Sequence, residues 1–221
     1  MKEYCVTFFY KNIIAFWLSI GICFSSNINE TQEKGVEIPH FQTKHFKAYP
    51  VDKKRAGDIF DLLHEDEKNK MFLATSLNHN KEKAIQEILK EHHEKNVWYC
   101  LYKKDDKKLD KLIAFIYLQD SYIQEYSYNY KMVGGGMCID ERQKGHGTEI
   151  LEEFLKYALV PSQEILGVVF TIHPENKNSK ALVKKFGPHN VGLIKNPKNL
   201  PRNVFILDLK SIRGEKVQSK L

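Results

Sequence analysis

From about Phe41 onward the chain carries two apolar patterns in turn, one repeating every two residues or running unbroken, the other repeating every three to four. Lys44 to Val51 (KHFKAYPV) reads as a short first strand. Asp52 to Leu63 then sets Ile59, Phe60, Leu62 and Leu63 on one side of a helix that Asp52 is placed to cap. Asn80 to Glu94 repeats the helical spacing with Ala84, Ile85, Ile88 and Leu89. Val97 to Tyr102 (VWYCLY) and Leu112 to Leu118 (LIAFIYL) are rich in β-branched and aromatic residues, and the charged segment Lys103 to Lys111 between them predicts a hairpin. A third run, Tyr130 to Ile139, continues the meander across Gly134, Gly135 and Gly136. Such a triplet weakens a strand, and it leaves open a flexible strand, a bulge or a close backbone approach.

The second half alternates more regularly. Ile150, Leu151, Phe154, Leu155, Ala158 and Leu159 line one face of an amphipathic helix. Ile165 to Ile172 (ILGVVFTI) is almost wholly apolar, as in a strand covered on both faces. Ser179 to Phe186 forms a short helix, and Val204 to Leu209 (VFILDL) a last strand. The predicted order is strand, two helices, three strands, helix, strand, helix, strand. That order implies a mixed α/β domain with a largely antiparallel sheet.

Ahead of this domain lies a segment of another kind. Lys2 and Lys11 precede an uncharged run from Ile13 to Phe24, and Ser25 and Ser26 follow it. This is the layout of a signal peptide over residues 1–26. The run is shorter than the roughly 20 residues of a spanning helix, although Cys5 to Tyr10 would lengthen it across Lys11 and Asn12; an uncleaved anchor, a misplaced start and a simple core segment are the alternatives. Residues 27–40 read as a polar linker, 41–210 as the domain and 211–221 as a tail.

With 42% hydrophobic and 28% charged residues in 221, the chain has the composition of a globular protein large enough to bury a real core. The 34 basic residues exceed the 28 acidic ones by six, with the signs interleaved. The bias suits an anionic ligand such as a nucleotide phosphate, whereas a nucleic-acid binder carries a concentrated basic stripe. No nucleic-acid partner is expected, and a membrane only through the N-terminal segment. Cys5, Cys23, Cys100 and Cys138 form no CxxC pair and have no histidine at zinc spacing. No metal is expected, and Cys100 and Cys138 read as buried free thiols.

The segment that carries chemistry is Met137 to Leu151 (MCIDERQKGHGTEIL), in which a strand end passes through a charged turn into the amphipathic helix. Gly145 and Gly147 allow close backbone approach, and a helix start offers free N–H groups with a partial positive charge. With Arg142 and Lys144 flanking, this is a cradle for a pyrophosphate. Neither GxxxxGK[ST] nor GxGxxG occurs here.

Arg142 to Gly147 resembles the [RQ]-x-x-G-x-[GA] signature of the GNAT superfamily of acyl-CoA-dependent N-acyltransferases. One strand later, Asn176, Ser179, Leu182, Lys185 and Gly187 stand at the offsets of the family's N-x-x-[AS]-x-x-L-Y-x-K-x-G-F motif. The resemblance runs from about Lys44 to Leu209. It implies a sheet with helices on both faces, splayed between the predicted fourth and fifth strands, and acetyl-CoA as co-substrate. It implies that pantetheine lies along the fourth strand's end at Met137, Cys138 and Ile139. The pyrophosphate would then meet the backbone of Gln143, Lys144, Gly145, His146, Gly147 and Thr148, and Asn176 and Ser179 would lie by the pantetheine arm. Two positions depart from the pattern: Val183 stands where the family often has the Tyr that protonates the leaving thiolate, and Pro188 where Phe is usual.

Acetyl transfer to an amine needs a stabilised oxyanion and removal of one proton near neutral pH. By location, His173 at the end of the buried strand and Glu125 in the loop before Tyr130 are the candidate catalytic residues, each with an ordinary structural alternative. His146 reads as an exposed spacer rather than a base. Tyr122, Tyr126, Tyr128 and Tyr130 either line an acceptor groove or simply dress a hairpin. The function implied is acetyl transfer from acetyl-CoA to a primary amine of a small molecule or protein. A CoA-binding or protein-binding domain that has lost turnover is the alternative, motivated by Val183. An export signal would separate such an enzyme from a metabolite of the cell interior. The expected localisation is therefore exported or membrane-anchored if the N-terminal segment is genuine, and cytoplasmic otherwise.

Overall fold

A computed structural model of the chain describes residues 40–65, 72, 79–94, 96–126, 129–158 and 164–212. The expected signal segment, nearly all of the linker, most of the tail and Tyr128 lie outside the described residues. In chain order the elements are β1 (Phe41–Gln42), β2 (Phe46–Pro50), α1 (Lys53–His64), α2 (Lys81–Glu94), β3 (Val97–Lys103), β4 (Ala114–Asp120), β5 (Tyr130–Met137), α3 (His146–Ala158), β6 (Gly167–Ile172), α4 (Lys177–Lys184), β7 (His189–Lys195), β8 (Pro201–Asp208) and the short α5 (Leu209–Ile212). No helix among the described residues is long and apolar enough to cross a membrane.

The alternation of side chains along β3 explains the layering. Cys100 Sγ meets the Arg55 carbonyl at 3.9 Å and the Tyr102 hydroxyl donates to Asp58 Oδ2 at 3.0 Å, both on α1. Tyr99, facing the other way, packs edge-on against Phe154 of α3 with ring centroids 6.1 Å apart. Both faces of β3 are thus covered, which is why its residues are apolar almost without a break. Asp52 caps α1 as expected, accepting from Arg55 N at 2.8 Å.

The strands form one eight-stranded sheet in the order β1-β2-β3-β4-β5-β6-β8-β7, antiparallel throughout except between β5 and β6. That one parallel pair is short. It matches only Tyr130 with Gly167, Lys131 with Val168 and Met132 with Val169. Beyond it β5 stays on β4 as far as Met137, and β6 stays on β8 as far as Ile172. Each arm follows its outer neighbour, and the sheet opens into a V between them.

The glycine triplet makes a close approach and not a bulge, since β4 and β5 hold register without a break from Asp120–Lys131 to Ala114–Met137. A Cβ on Gly134 would come 2.3 Å from the Tyr117 ring, and one on Gly135 would come 2.4 Å from the Phe115 carbonyl oxygen. Tyr117 is itself fixed by stacking on Trp98, centroids 4.5 Å apart.

Two strands escape the sequence reading. β1 is only two residues long. β7 is an edge strand whose residues are mostly exposed, Leu193 at 63% among them, so no apolar alternation marks it. β5 also ends two residues earlier than the hydropathy suggests: Cys138 N donates to the Ile113 carbonyl at 2.9 Å, and Ile139 is 63% exposed in a 3-10 turn spanning Ile139–Glu141.

Replacing Gly134 with Ala should lower stability by about 1–3 kcal/mol, because Tyr117 is pinned between Trp98 and the strand. A denaturant midpoint equal to that of the parent would show that the ring is free to yield.

Candidate functional site

At the open end of the V the chain leaves β5 and turns sharply into α3. The turn is braced from within: Arg142 Nε and Nη2 both donate to the Met137 carbonyl, at 3.1 and 2.9 Å. Gln143 (φ 65°) and Gly145 (φ 86°) take left-handed backbone on either side of Lys144. Gly145 is therefore required by conformation, whereas Gln143 accepts the strain that a non-glycine residue feels there. The Gly145 carbonyl receives Thr148 N at 3.1 Å and Glu149 N at 3.5 Å. The N–H groups of Gln143, Lys144, Gly145, His146 and Gly147 donate to no acceptor among the described residues. Successive N–H groups in such a turn, at the start of a helix of 13 residues, form a concave anion site reinforced by the helix dipole.

The two sequence motifs lock together in space. A Cβ on Gly147 would touch Leu182 Cδ2 at 3.3 Å, so the second loop glycine lets α4 press against the start of α3. Lys185 Nζ donates to Thr148 Oγ1 at 3.1 Å. Asn176 Oδ1 accepts from Ser179 N at 3.0 Å and caps α4, which ties these two predicted binding residues to each other. The spacing shared by the motifs thus records a helix–loop contact.

The loop's charged side chains are occupied. Glu141, buried, receives Lys103 Nζ at 2.7 Å, Lys144 Nζ at 3.2 Å and His146 Nε2 at 3.4 Å. Its hydrogen bond from Lys103, with help from Lys144, holds it below the ordinary carboxylate range. Arg142 and Lys144, expected to flank a bound anion, also brace the turn, Arg142 on the Met137 carbonyl and Lys144 on Glu141. His146 is no exposed spacer: it packs edge-on against Phe46 at 4.8 Å with its side chain 16% exposed. Its ring fills the space between Glu141 and Glu149, a role for which the loop sequence offers no period or motif.

Glu149 closes the other side. Its Oε1 accepts His45 N at 2.8 Å and its Oε2 lies 2.6 Å from His45 Nδ1. Burial works to raise its pKa, but hydrogen bonds from Thr43 and His45 outweigh that and bring it to about 2. His45, His146 and Glu149 offer ligand atoms within 4.8 Å of one another and could hold a metal ion. His45 and His146 border a cleft of about 320 Å³ lined also by Lys44, Lys103, Lys104 and Asp105, in which the three lysines outnumber the one carboxylate and oppose a cation.

The remaining candidates are dispersed. His173 follows β6 directly, its Nδ1 accepting Glu175 N at 3.2 Å and its ring 5.6 Å from Phe72. Glu125 is exposed on a 3-10 turn (Gln124–Tyr126) ahead of β5. The eight residues of β5 separate it from the loop, about 25 Å along the strand. Tyr130 donates to Asp208 Oδ1 at 2.8 Å and packs edge-on with Tyr126 at 5.3 Å. Val183 is buried in the core, and so are the thiols of Cys100 and Cys138, whose pKa values burial raises. The sequence reading missed a polar group on the other side of the sheet. Arg202 in β8 is fully buried, with the hydroxyls of Tyr117 and Tyr122 near it. A lone arginine two residues before an apolar strand run was the available signal.

No protein-family model and no curated protein matches the sequence. Solved structures do match the fold. A ribosomal-protein-S5-alanine acetyltransferase from Vibrio fischeri superposes with a TM-score of 0.60 at 14% identity over 76% of this chain and 95% of that one. AAC(6')-Ib in complex with paromomycin and acetyl-CoA gives 0.63 at 11% identity, covering 80% and 99%. An acetyltransferase of the GNAT family from Streptococcus pneumoniae gives 0.52 at 12% identity, covering 74% and 98%. The splayed mixed sheet with helices on both faces is thus the fold of these acetyltransferases.

Glu149→Gln should cost about 1–3 kcal/mol at neutral pH. A carboxylate whose pKa drops from 4.5 to about 2 on folding stabilises the protein above pH 4.5 and loses that contribution as pH falls toward 2. Urea unfolding at a series of pH values should therefore show the gap between parent and variant closing across that window. A gap independent of pH would assign the loss to packing alone.

Proposed function

We propose that this GNAT-fold chain is an N-acyltransferase that moves an acetyl group from acetyl-CoA to a primary amine. The observation that carries the proposal is the row of unsatisfied N–H groups from Gln143 to Gly147 at the start of α3, set at the open end of the V. These donors fit a pyrophosphate in number, sign and curvature. The unpaired edges of β5 beyond Met132 and of β6 beyond Val169 fit the amide-bearing pantetheine arm, which forms hydrogen bonds as a strand does. Asn176, whose Oδ1 is used in capping, keeps its amide donors for the same arm. Acetyl-CoA supplies an acyl carbonyl already activated as a thioester.

Two structural neighbours support an amine as the acceptor, one a ribosomal-protein-S5-alanine acetyltransferase and the other in complex with paromomycin. The chain's own residues contribute position and electrostatics. Because His173 Nδ1 accepts from Glu175 N, the neutral ring carries its hydrogen on Nε2. It therefore offers a donor suited to a developing oxyanion, and it serves as a base only by giving up that bond. Glu125 remains the second candidate, as a solvent-side base. The burial of Val183 favours the reading in which turnover has been lost, since it leaves no hydroxyl at the position where the family often protonates the thiolate.

Acetyl-CoA at 100 times its Kd should stabilise the protein by about 2.7 kcal/mol in a thermal-shift titration. Gly145→Val, which forces a β-branched residue into left-handed backbone, should abolish the stabilisation. Gly145→Asn, tolerant of that conformation, should keep most of it. Thiol release from acetyl-CoA in the presence of amines would establish transfer. Stabilisation without thiol release would establish the binding-domain reading, and no stabilisation by millimolar acetyl-CoA would overturn the cofactor assignment.

A further inference from the structure

Among the described residues, the buried side-chain nitrogens and oxygens without a hydrogen-bond partner are Trp98 Nε1, Tyr122 Oη, Arg202 Nε and Arg202 Nη2. All four can donate. Strand register puts two of their three residues, Trp98 on β3 and Arg202 on β8, on one face of the sheet, with the V between them. Trp98 pairs with Tyr117 and Tyr117 with Gly134, while Met132 pairs with Val169 and Val169 with Ile206. Steps of two residues along β5 and β8 carry the same face from Met132 to Gly134 and Gly136, and from Ile206 through Val204 to Arg202. Where β5 begins to part from β6, this face presents Gly134 and Gly136, which have no side chains to fill it. Tyr122, on the loop after β4, lies close to both Arg202 and Tyr117.

Arg202 is the unusual member. It has no exposed surface, and only its Nη1 is used, on the Pro201 carbonyl at 3.0 Å. Burial lowers its pKa, and the groups that oppose this are the hydroxyls of Tyr122 and Tyr117. Tyr117 is itself pushed up to about 12 by burial and is neutral at physiological pH. A buried guanidinium without a counter-charge is costly to keep, and natural structures nearly always pair one. The two unused nitrogens, Nε and Nη2, form the side edge of the guanidinium plane, which matches the two oxygens of a carboxylate. A single buried positive charge balances one negative charge.

We propose that Arg202 anchors the carboxylate of the acceptor, so that the amine acetylated here belongs to an amino-carboxylate of the amino-acid type. The proposal rests on the transferase reading above and specifies its acceptor. The carboxylate takes the Nε and Nη2 edge, with the Tyr122 hydroxyl as a further donor nearby. Entry is by displacement of covering side chains, since Arg202 has no open path to solvent.

The test uses the full chain and paired acceptors that differ only in the carboxylate: alanine against alaninamide, and lysine against its decarboxylated diamine. Thermal shift reads binding, and thiol release from acetyl-CoA reads transfer. The carboxylate member of each pair should stabilise the protein and be the better acceptor. Arg202→Gln should lower kcat/KM for the carboxylate members by about 10- to 100-fold, bring each pair to near equality, and leave the acetyl-CoA shift unchanged. Arg202→Met should raise the Tm of the unliganded protein, because it removes the unpaired donors. Thiol release with both members of each pair alike, in parent and Arg202→Gln, would overturn the proposal and leave the transferase reading intact. A lowered Tm in Arg202→Met would overturn it too, by making the guanidinium a structural element. Stabilisation by the amino acids that Arg202→Gln abolishes, with no thiol release from any acceptor, would keep the anchor and end the transferase reading. Absence of both would end both.

Discussion

Hydrogen bonding between β5 and β6 stops after three residue pairs, and the rest of the site follows from that stop. The parallel pair cannot continue because each strand is held along its length by an outer antiparallel neighbour, β4 on one side and β8 on the other. Twist in a mixed sheet then carries the two halves apart. Separation exposes two strand edges inside a sheet that otherwise has edges only at β1 and β7. An internal edge of unpaired amides is unfavourable unless something occupies it, and a ligand with its own amide groups is the natural occupant.

The loop at the open end follows a consistent division of labour. Its side chains hold the turn in shape: Arg142 on Met137, Lys144 and His146 on Glu141, Glu149 on His45, and Thr148 under Lys185. Its backbone N–H groups from Gln143 to Gly147 donate to no acceptor among the described residues. A site made of backbone donors depends on conformation more than on side-chain identity. That is the physical reason the same fold can be kept at the low sequence identities seen among its structural neighbours.

The two faces of the V differ in chemistry. On one, α3 and α4 cover an apolar core that includes Phe154, Val168, Phe170 and Val183. On the other, at the β6 and β8 side, a smaller cluster of Val169, Val204 and Ile206 lies close to buried donors that have no acceptors. The second face carries unsatisfied polarity beside glycines, a combination that proteins retain at functional positions at some expense of stability.

Periodicity alone determined most of the elements, because core faces impose their spacing on the chain: α1, α2, α3, the buried strands and the cap at Asp52 were all legible. The loop was legible too, since Gly145 and Gly147 answer to local conformation and close contact. β7 was not, because an exposed edge strand needs no apolar alternation. Nor was the inward use of Arg142, Lys144 and His146, whose partners lie in Met137, Glu141 and the β1–β2 turn. His173 and Glu125 were chosen from their places in the element order, and only the tertiary structure assigns them surroundings at opposite ends of the V. The buried, unpartnered edge of Arg202 is likewise a property of register across four strands, and register is set by which strands become neighbours, which no local pattern in the chain encodes.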